Sequence, residues 1–60
     1  MNQYKITCLT FNLEIGKVER TFSLEAENVD EALKDLFKRI MIIQTLKIVE
    51  NGIIINKEVA

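Results

Sequence analysis

Apolar and polar positions alternate along this chain with two different periods, and the change of period divides it. From Asn28 to Met41 the period is helical. Val29, Ala32, Leu33, Leu36, Phe37, Ile40 and Met41 recur at three- and four-residue intervals, while Asp30, Glu31, Lys34, Asp35, Lys38 and Arg39 fill the opposite side. Asn28 stands at the N-cap position, and Glu31 three residues later completes a capping box. The acids in the first turn and Lys38 and Arg39 in the last suit the helix dipole.

Either side of that segment the pattern is that of strands, and the two glycines fall where hairpins need them. Gly16 lies between Leu13 and Val18, and Gly52 follows Asn51 in the dipeptide most favourable to a two-residue primed turn. A two-residue turn at the first site would force the β-branched Ile15 to a positive φ. The spacing therefore predicts a three-residue loop with Gly16 in the left-handed region. That loop sets Leu13 opposite Lys17, Thr10 opposite Arg20, Cys8 opposite Phe22, Ile6 opposite Leu24 and Tyr4 opposite Ala26. The second turn sets Glu50 opposite Ile53, Val49 opposite Ile54, Ile48 opposite Ile55 and Leu46 opposite Lys57. Between Ile40 and Thr45 no glycine or turn residue marks where the helix stops and the third strand starts.

A helix returning over one face from the second strand to a third strand beside the first gives the order 2-1-3-4. The predicted fold class is α+β, a ββαββ two-layer sandwich with a four-stranded antiparallel sheet and one amphipathic helix on one face. Residues 1–60 form a single domain. The expected buried layer holds Tyr4, Ile6, Cys8, Phe22, Leu24, Ala26, Leu33, Leu36, Phe37, Ile40, Leu46, Ile48, Ile53 and Ile55. Leu9, Phe11, Leu13, Val49 and Ile54 are left on the uncovered face, and these five are the candidate partner-binding residues. Arg20, in the apolar series of the second strand, is expected near the hairpin tip, its stem on apolar surface and its head in water.

Length sharpens the meaning of that uncovered face. At 60 residues a chain buries only about 60% of the surface its unfolded form exposes, and domains this small commonly add a disulfide, a metal or a second copy of themselves. One cysteine and no histidine exclude an internal disulfide and an ordinary zinc site. Self-association remains. The expected partner is a second copy of the chain, by sheet face or by edge strand, or else another protein on the same face.

Charge and candidate chemistry change the picture little. A net charge of −1 with both signs interspersed produces no long-range field toward nucleic acid. Without histidine the usual general acid or base is missing. Asp30, Glu31 and Asp35 read as a solvated helix face with ion pairs Asp30–Lys34 and Asp35–Arg39. Cys8 reads as a small buried hydrophobe, and neither glycine belongs to a phosphate-binding loop. No enzyme activity, cofactor or metal is expected. Lys34, Lys38, Arg39, Lys47 and Lys57 are the candidates for a nucleic-acid contact, but acids lie between them and no aromatic platform accompanies them. The longest purely apolar run, Ile40 to Ile43, is too short to cross a bilayer, the first residues lack a signal-peptide core, and a cytoplasmic location is expected. Heavy use of Ile, Lys and Asn suits an AT-rich bacterial or phage gene.

The passage from strand into helix, Ala26-Glu27-Asn28-Val29-Asp30-Glu31-Ala32-Leu33, resembles HicB-type antitoxins over roughly the first two thirds of the chain. The Gly- and Pro-containing second-strand segment of that family is absent. Small phage inhibitors of host enzymes, including uracil-DNA glycosylase inhibitors, are similar in length and element order. These likenesses rest on element order and a capped helix and assign no family. The uncovered face, the short chain and the poor catalytic inventory leave two classes of function. The first is a non-enzymatic protein-interaction module, homodimeric, of the kind found among phage or mobile-element regulators and inhibitors. The alternative is a weak nucleic-acid-binding module or antitoxin-like DNA/RNA regulator.

Overall fold

The computed structural model describes residues 1–56. Five elements follow one another: β1 (Asn2–Asn12), β2 (Gly16–Ala26), α1 (Val29–Arg39), β3 (Ile42–Glu50) and β4 (Ile53–Asn56). The sheet is antiparallel with order β2-β1-β3-β4, the ββαββ arrangement that the two periods imply.

The helix begins where Asn28 dictates. Its backbone is extended, with φ −153° and ψ 172°, and its Oδ1 accepts a hydrogen bond from the Glu31 N–H at 2.9 Å. One of the orphan donors of the first turn is thereby satisfied. At the other end Ile40 donates its N–H to the Leu36 carbonyl while its own backbone turns extended, at φ −138° and ψ 142°. β-Branched Ile40 and Ile42 favour that conformation, so the chain leaves the helix for β3 without a glycine. Met41 thus lies outside the helix and is exposed, contrary to its place in the apolar stripe. Of the two i,i+4 ion pairs expected, Asp35–Arg39 closes at 3.2 Å on the helix surface.

The first hairpin differs from expectation by a slide of two residues. Asn12 opposes Gly16, Phe11 opposes Lys17, Thr10 opposes Val18, Cys8 opposes Arg20, Ile6 opposes Phe22 and Tyr4 opposes Leu24. The cause is Asn12, whose Oδ1 accepts from the Glu14 N–H at 2.8 Å and the Ile15 N–H at 3.2 Å. This Asx turn pulls the reversal one residue earlier on each strand. Gly16 keeps its positive φ of +83°. Because the slide is an even number of residues, every side chain that remains in the paired strands stays on its expected face, while Leu13 passes into the turn. Arg20 is exposed, but it stands across from Cys8 in mid-strand and not at the tip.

Asn51 (φ +50°) and Gly52 (φ +85°) form the primed turn of the second hairpin. Glu50–Ile53 and Val49–Ile54 pair as expected, and a bulge at Ile55 then sets Ile48 opposite Asn56. The expected pair Leu46–Lys57 lies outside the described residues. Two further irregularities interrupt β3: Thr7 faces Lys47 but Cys8 faces Thr45, and Leu9 faces Gln44 but Thr10 faces Ile42. Leu46 and Ile43 are therefore the extra residues of two bulges. Thr45, not Leu46, is the buried residue across from Cys8, and Leu46 stays outside the core cluster.

The core is small. Tyr4, Ile6 and Cys8 on β1, Ile48 on β3, Ala26 on β2 and Ala32 and Leu36 on α1 are buried, with Phe22, Leu24, Val29, Leu33, Ile40 and Ile42 packed around them. Phe37, Ile53 and Ile55, expected in that layer, are 56%, 68% and 45% exposed. Geometry explains the difference. A helix is about 10 Å across with its side chains, and strands lie about 4.8 Å apart, so one helix covers roughly two strands. Following β2 directly, α1 packs against β2, and β4, at the far edge of the sheet, goes uncovered.

Candidate functional site

The register fixes what the open face of the sheet presents. Across the strands, from β2 to β4, one row reads Ser23, Lys5, Val49 and Ile54. The next reads Thr21, Thr7 and Lys47, then Glu19, Leu9 and Gln44, and last Lys17 and Phe11. Of the five residues proposed from sequence, Val49 and Ile54 are brought together as direct cross-strand partners at one end. Leu9 and Phe11 stand two residues apart on β1 at the other end. The row of Thr21, Thr7 and Lys47 lies between the pairs. Leu13 is not on the face: it sits in the first turn, 93% exposed, beyond the last paired residue of β1.

The intervening row is less polar than its composition suggests. The Thr7 and Thr21 hydroxyls lie 2.9 Å apart and hydrogen-bond to each other. Thr7 is buried even though its side chain is on the uncovered face. With the hydroxyls mutually satisfied, what the row offers a partner is methyl surface and the aliphatic stem of Lys47.

Further apolar side chains are exposed outside this face. Ile53 shares a face with its partner Glu50, the side of the sheet that α1 covers elsewhere, and is exposed together with Ile55, Phe37 and Met41. Sequence reasoning filled the helix-side layer with every apolar residue of suitable parity. The signal that could have excluded these residues is the width of a single helix against four strands.

Side chains with reactive potential are arranged for structure. Cys8 is fully buried in mid-strand, and burial pushes its thiol pKa up, away from the thiolate. Tyr4 is buried and its hydroxyl donates to Glu50 Oε2 at 2.5 Å. Burial first, and then the carboxylate it donates to, raise the Tyr4 pKa above the ordinary phenol value. Among the described residues no buried side-chain polar atom lacks a partner, and no group of three or more metal-binding side chains occurs. A concavity of about 910 Å³ takes its walls from both sides of the sheet, from Lys5 and Val49 to Asp35 and Arg39. It is a solvent-filled groove, and Asp35 and Arg39 within it already pair with each other. The cations considered for nucleic acid do not share a surface. Lys34, Lys38 and Arg39 ride on the helix, and Lys47 points from the opposite side of the sheet; Lys57 lies outside the described residues. No described helix is long and apolar enough to cross a membrane.

Comparison with protein-family models, with curated proteins and with solved structures finds no match to this chain.

Proposed function

We propose that this protein is a small non-enzymatic interaction module that works as a homodimer, pairing the open faces of two sheets. Its setting is the bacterial or phage cytoplasm, in a regulator or inhibitor that acts by binding another protein. The observation that carries the reading is the imbalance between a core of seven buried apolar side chains, two of them alanines, and the large apolar side chains left in water. Fully burying a Val, Leu, Ile or Phe side chain contributes about 1.5–3 kcal/mol. A second copy laid on the face would hide Leu9, Phe11, Val49 and Ile54.

Area supports the same choice. The open face runs along the eleven residues of β1 and across four strands, a surface on which a second sheet can pack face to face. The β4 edge, four residues long, offers far less. Packing sheet on sheet would set the hydrogen-bonded Thr7–Thr21 pair inside the interface, with the stems of Lys5 and Lys47 laid on apolar surface and their charged heads turned out to water at its edge. Following backbone amide NMR shifts through a dilution series tests the reading. The amides of Leu9, Phe11, Val49 and Ile54 are expected to move with concentration while those on the outer face of α1 stay fixed. Movement confined to Phe37 and Ile53 would contradict the face.

A further inference from the structure

One end of the open face depends on the turn at Asn51 and Gly52, and that turn is fastened to the rest of the fold by the Asn51 carboxamide. Asn51 Oδ1 accepts from the Gln3 N–H at 2.8 Å, and Asn51 Nδ2 donates to Asn2 Oδ1 at 3.0 Å. The Asn51 backbone N–H donates to the Gln3 carbonyl at 2.7 Å. Asn2 in turn donates its Nδ2 to the Glu27 carbonyl at 3.0 Å. Both ends of one exposed amide side chain are thus held on β1, next to a glycine whose backbone nitrogen no Cβ shields.

An asparagine followed by glycine carries the parts of an intramolecular reaction. The Gly52 backbone nitrogen, after losing its proton to base, attacks the Asn51 side-chain carbon. A carbon–nitrogen bond forms, the bond to Nδ2 breaks, and ammonia leaves carrying a proton from solvent. The resulting five-membered imide takes up water at either carbonyl and opens to aspartate or isoaspartate. No oxidant or reductant takes part. In the folded chain the attack requires the carboxamide to leave Gln3 and Asn2.

We propose that Asn51 is a site of spontaneous deamidation which the fold holds in check through the Gln3 and Asn2 contacts, and which opens as the turn opens. Conversion has a structural consequence. Aspartate has no Nδ2 donor for Asn2. Isoaspartate adds a methylene to the main chain inside a two-residue turn that leaves no room for one. Among the described residues β4 pairs with β3 at three positions, two of them next to the turn, so the altered turn loosens that pairing and carries Ile54 off the face. The effect on association rests on the dimer reading; the chemistry at Asn51 does not.

Peptide mapping by mass spectrometry after incubation separates the two, since replacement of ammonia by water is read at Asn51 whatever the oligomeric state. Conversion is expected to rise with pH and to run about thirtyfold slower in the folded chain than in urea, the factor for two hydrogen bonds of typical net strength. Asn2→Ala, shown by circular dichroism to be folded, should convert faster than wild type when folded and at the same rate in urea. Asn2→Asp, which keeps an acceptor for Asn51 Nδ2 and loses only the donor to Glu27, should retain the protection. Equal rates folded and unfolded, no conversion at Asn51 in urea, or an Asn2→Ala rate no faster than wild type would each overturn the proposal.

Discussion

Asn28 does at residue scale what its position after a strand and before an apolar stripe implies, so its removal is a clean test. Asn28→Ala leaves the Glu31 N–H without its partner and is expected to destabilise the fold by about 1 kcal/mol in denaturant melts. Cys8 and Tyr4 can be read individually because the chain has one of each. Thiol reagents should label Cys8 slowly in the folded protein and quickly in urea, since burial both blocks access and raises the thiol pKa. For Tyr4 the folded-state pKa is raised, so its stabilising contribution is complete below the ordinary phenol value of 10.0 and is lost as pH rises above it. Ultraviolet titration should show the phenol ionising later in the folded protein than in urea, and Tyr4→Phe should flatten the fall in stability over that range. Coincident titrations would contradict the burial of Tyr4 together with its contact to Glu50. Tyr4, Ile6 and Cys8 were legible as core because a central strand buries alternate residues whatever its exact register.

At the scale of elements, the hairpins show where local signals suffice. Asn51-Gly52 encodes its own turn, and the pairs next to it, Glu50–Ile53 and Val49–Ile54, follow from that. The first hairpin was misplaced by two residues because the decisive group, the Asn12 side chain, acts on N–H groups two and three residues away. Weighing glycine alone overlooked it. The bulges in β3 carried no local signal: they place Thr45 across from Cys8 and leave Leu46 extra, which is a packing outcome between distant segments. Two substitutions probe the turns. No heavy atom beyond the adjoining residues lies within 4 Å of where a Cβ on Gly52 would be, so the cost of Gly52→Val is backbone strain at φ +85°, of about 1–2 kcal/mol or more for a β-branched side chain. A neutral result in denaturant melts would contradict the second hairpin. Asn12→Ala should destabilise by about 1–2 kcal/mol, since it removes the acceptor of two hydrogen bonds. It should also broaden the amide resonances of Glu14 and Ile15 as the first turn loosens.

For the whole molecule, strand order and the side on which the helix lies follow from the pattern of periods, while the extent of the helix's cover does not. Periodicity assigns Phe37 to the buried stripe of α1 and Ile53 and Ile55 to the side of the sheet it covers, but Phe37 is exposed, and only three-dimensional width shows that α1 cannot reach Ile53 and Ile55. The candidate surface was legible in the same partial way. Its residues lie on the face predicted, Leu13 apart, yet as two pairs with a threonine row between them. A domain of this length typically holds a net stability of roughly 3–9 kcal/mol, so hiding a few exposed side chains matters to the balance. The central claim is that two copies of the chain bury their open faces against one another. Sedimentation equilibrium of wild type and of Phe11→Glu, across the micromolar range, tests it most directly. Phe11 is half exposed and stands at the end of the face, so the substitution puts a charge into the interface without disturbing the monomer's core. A dimeric wild type and a monomeric, lower-melting Phe11→Glu, with Ile54→Lys shifted less, is the predicted result; a wild type that stays monomeric at high micromolar concentration would contradict the claim.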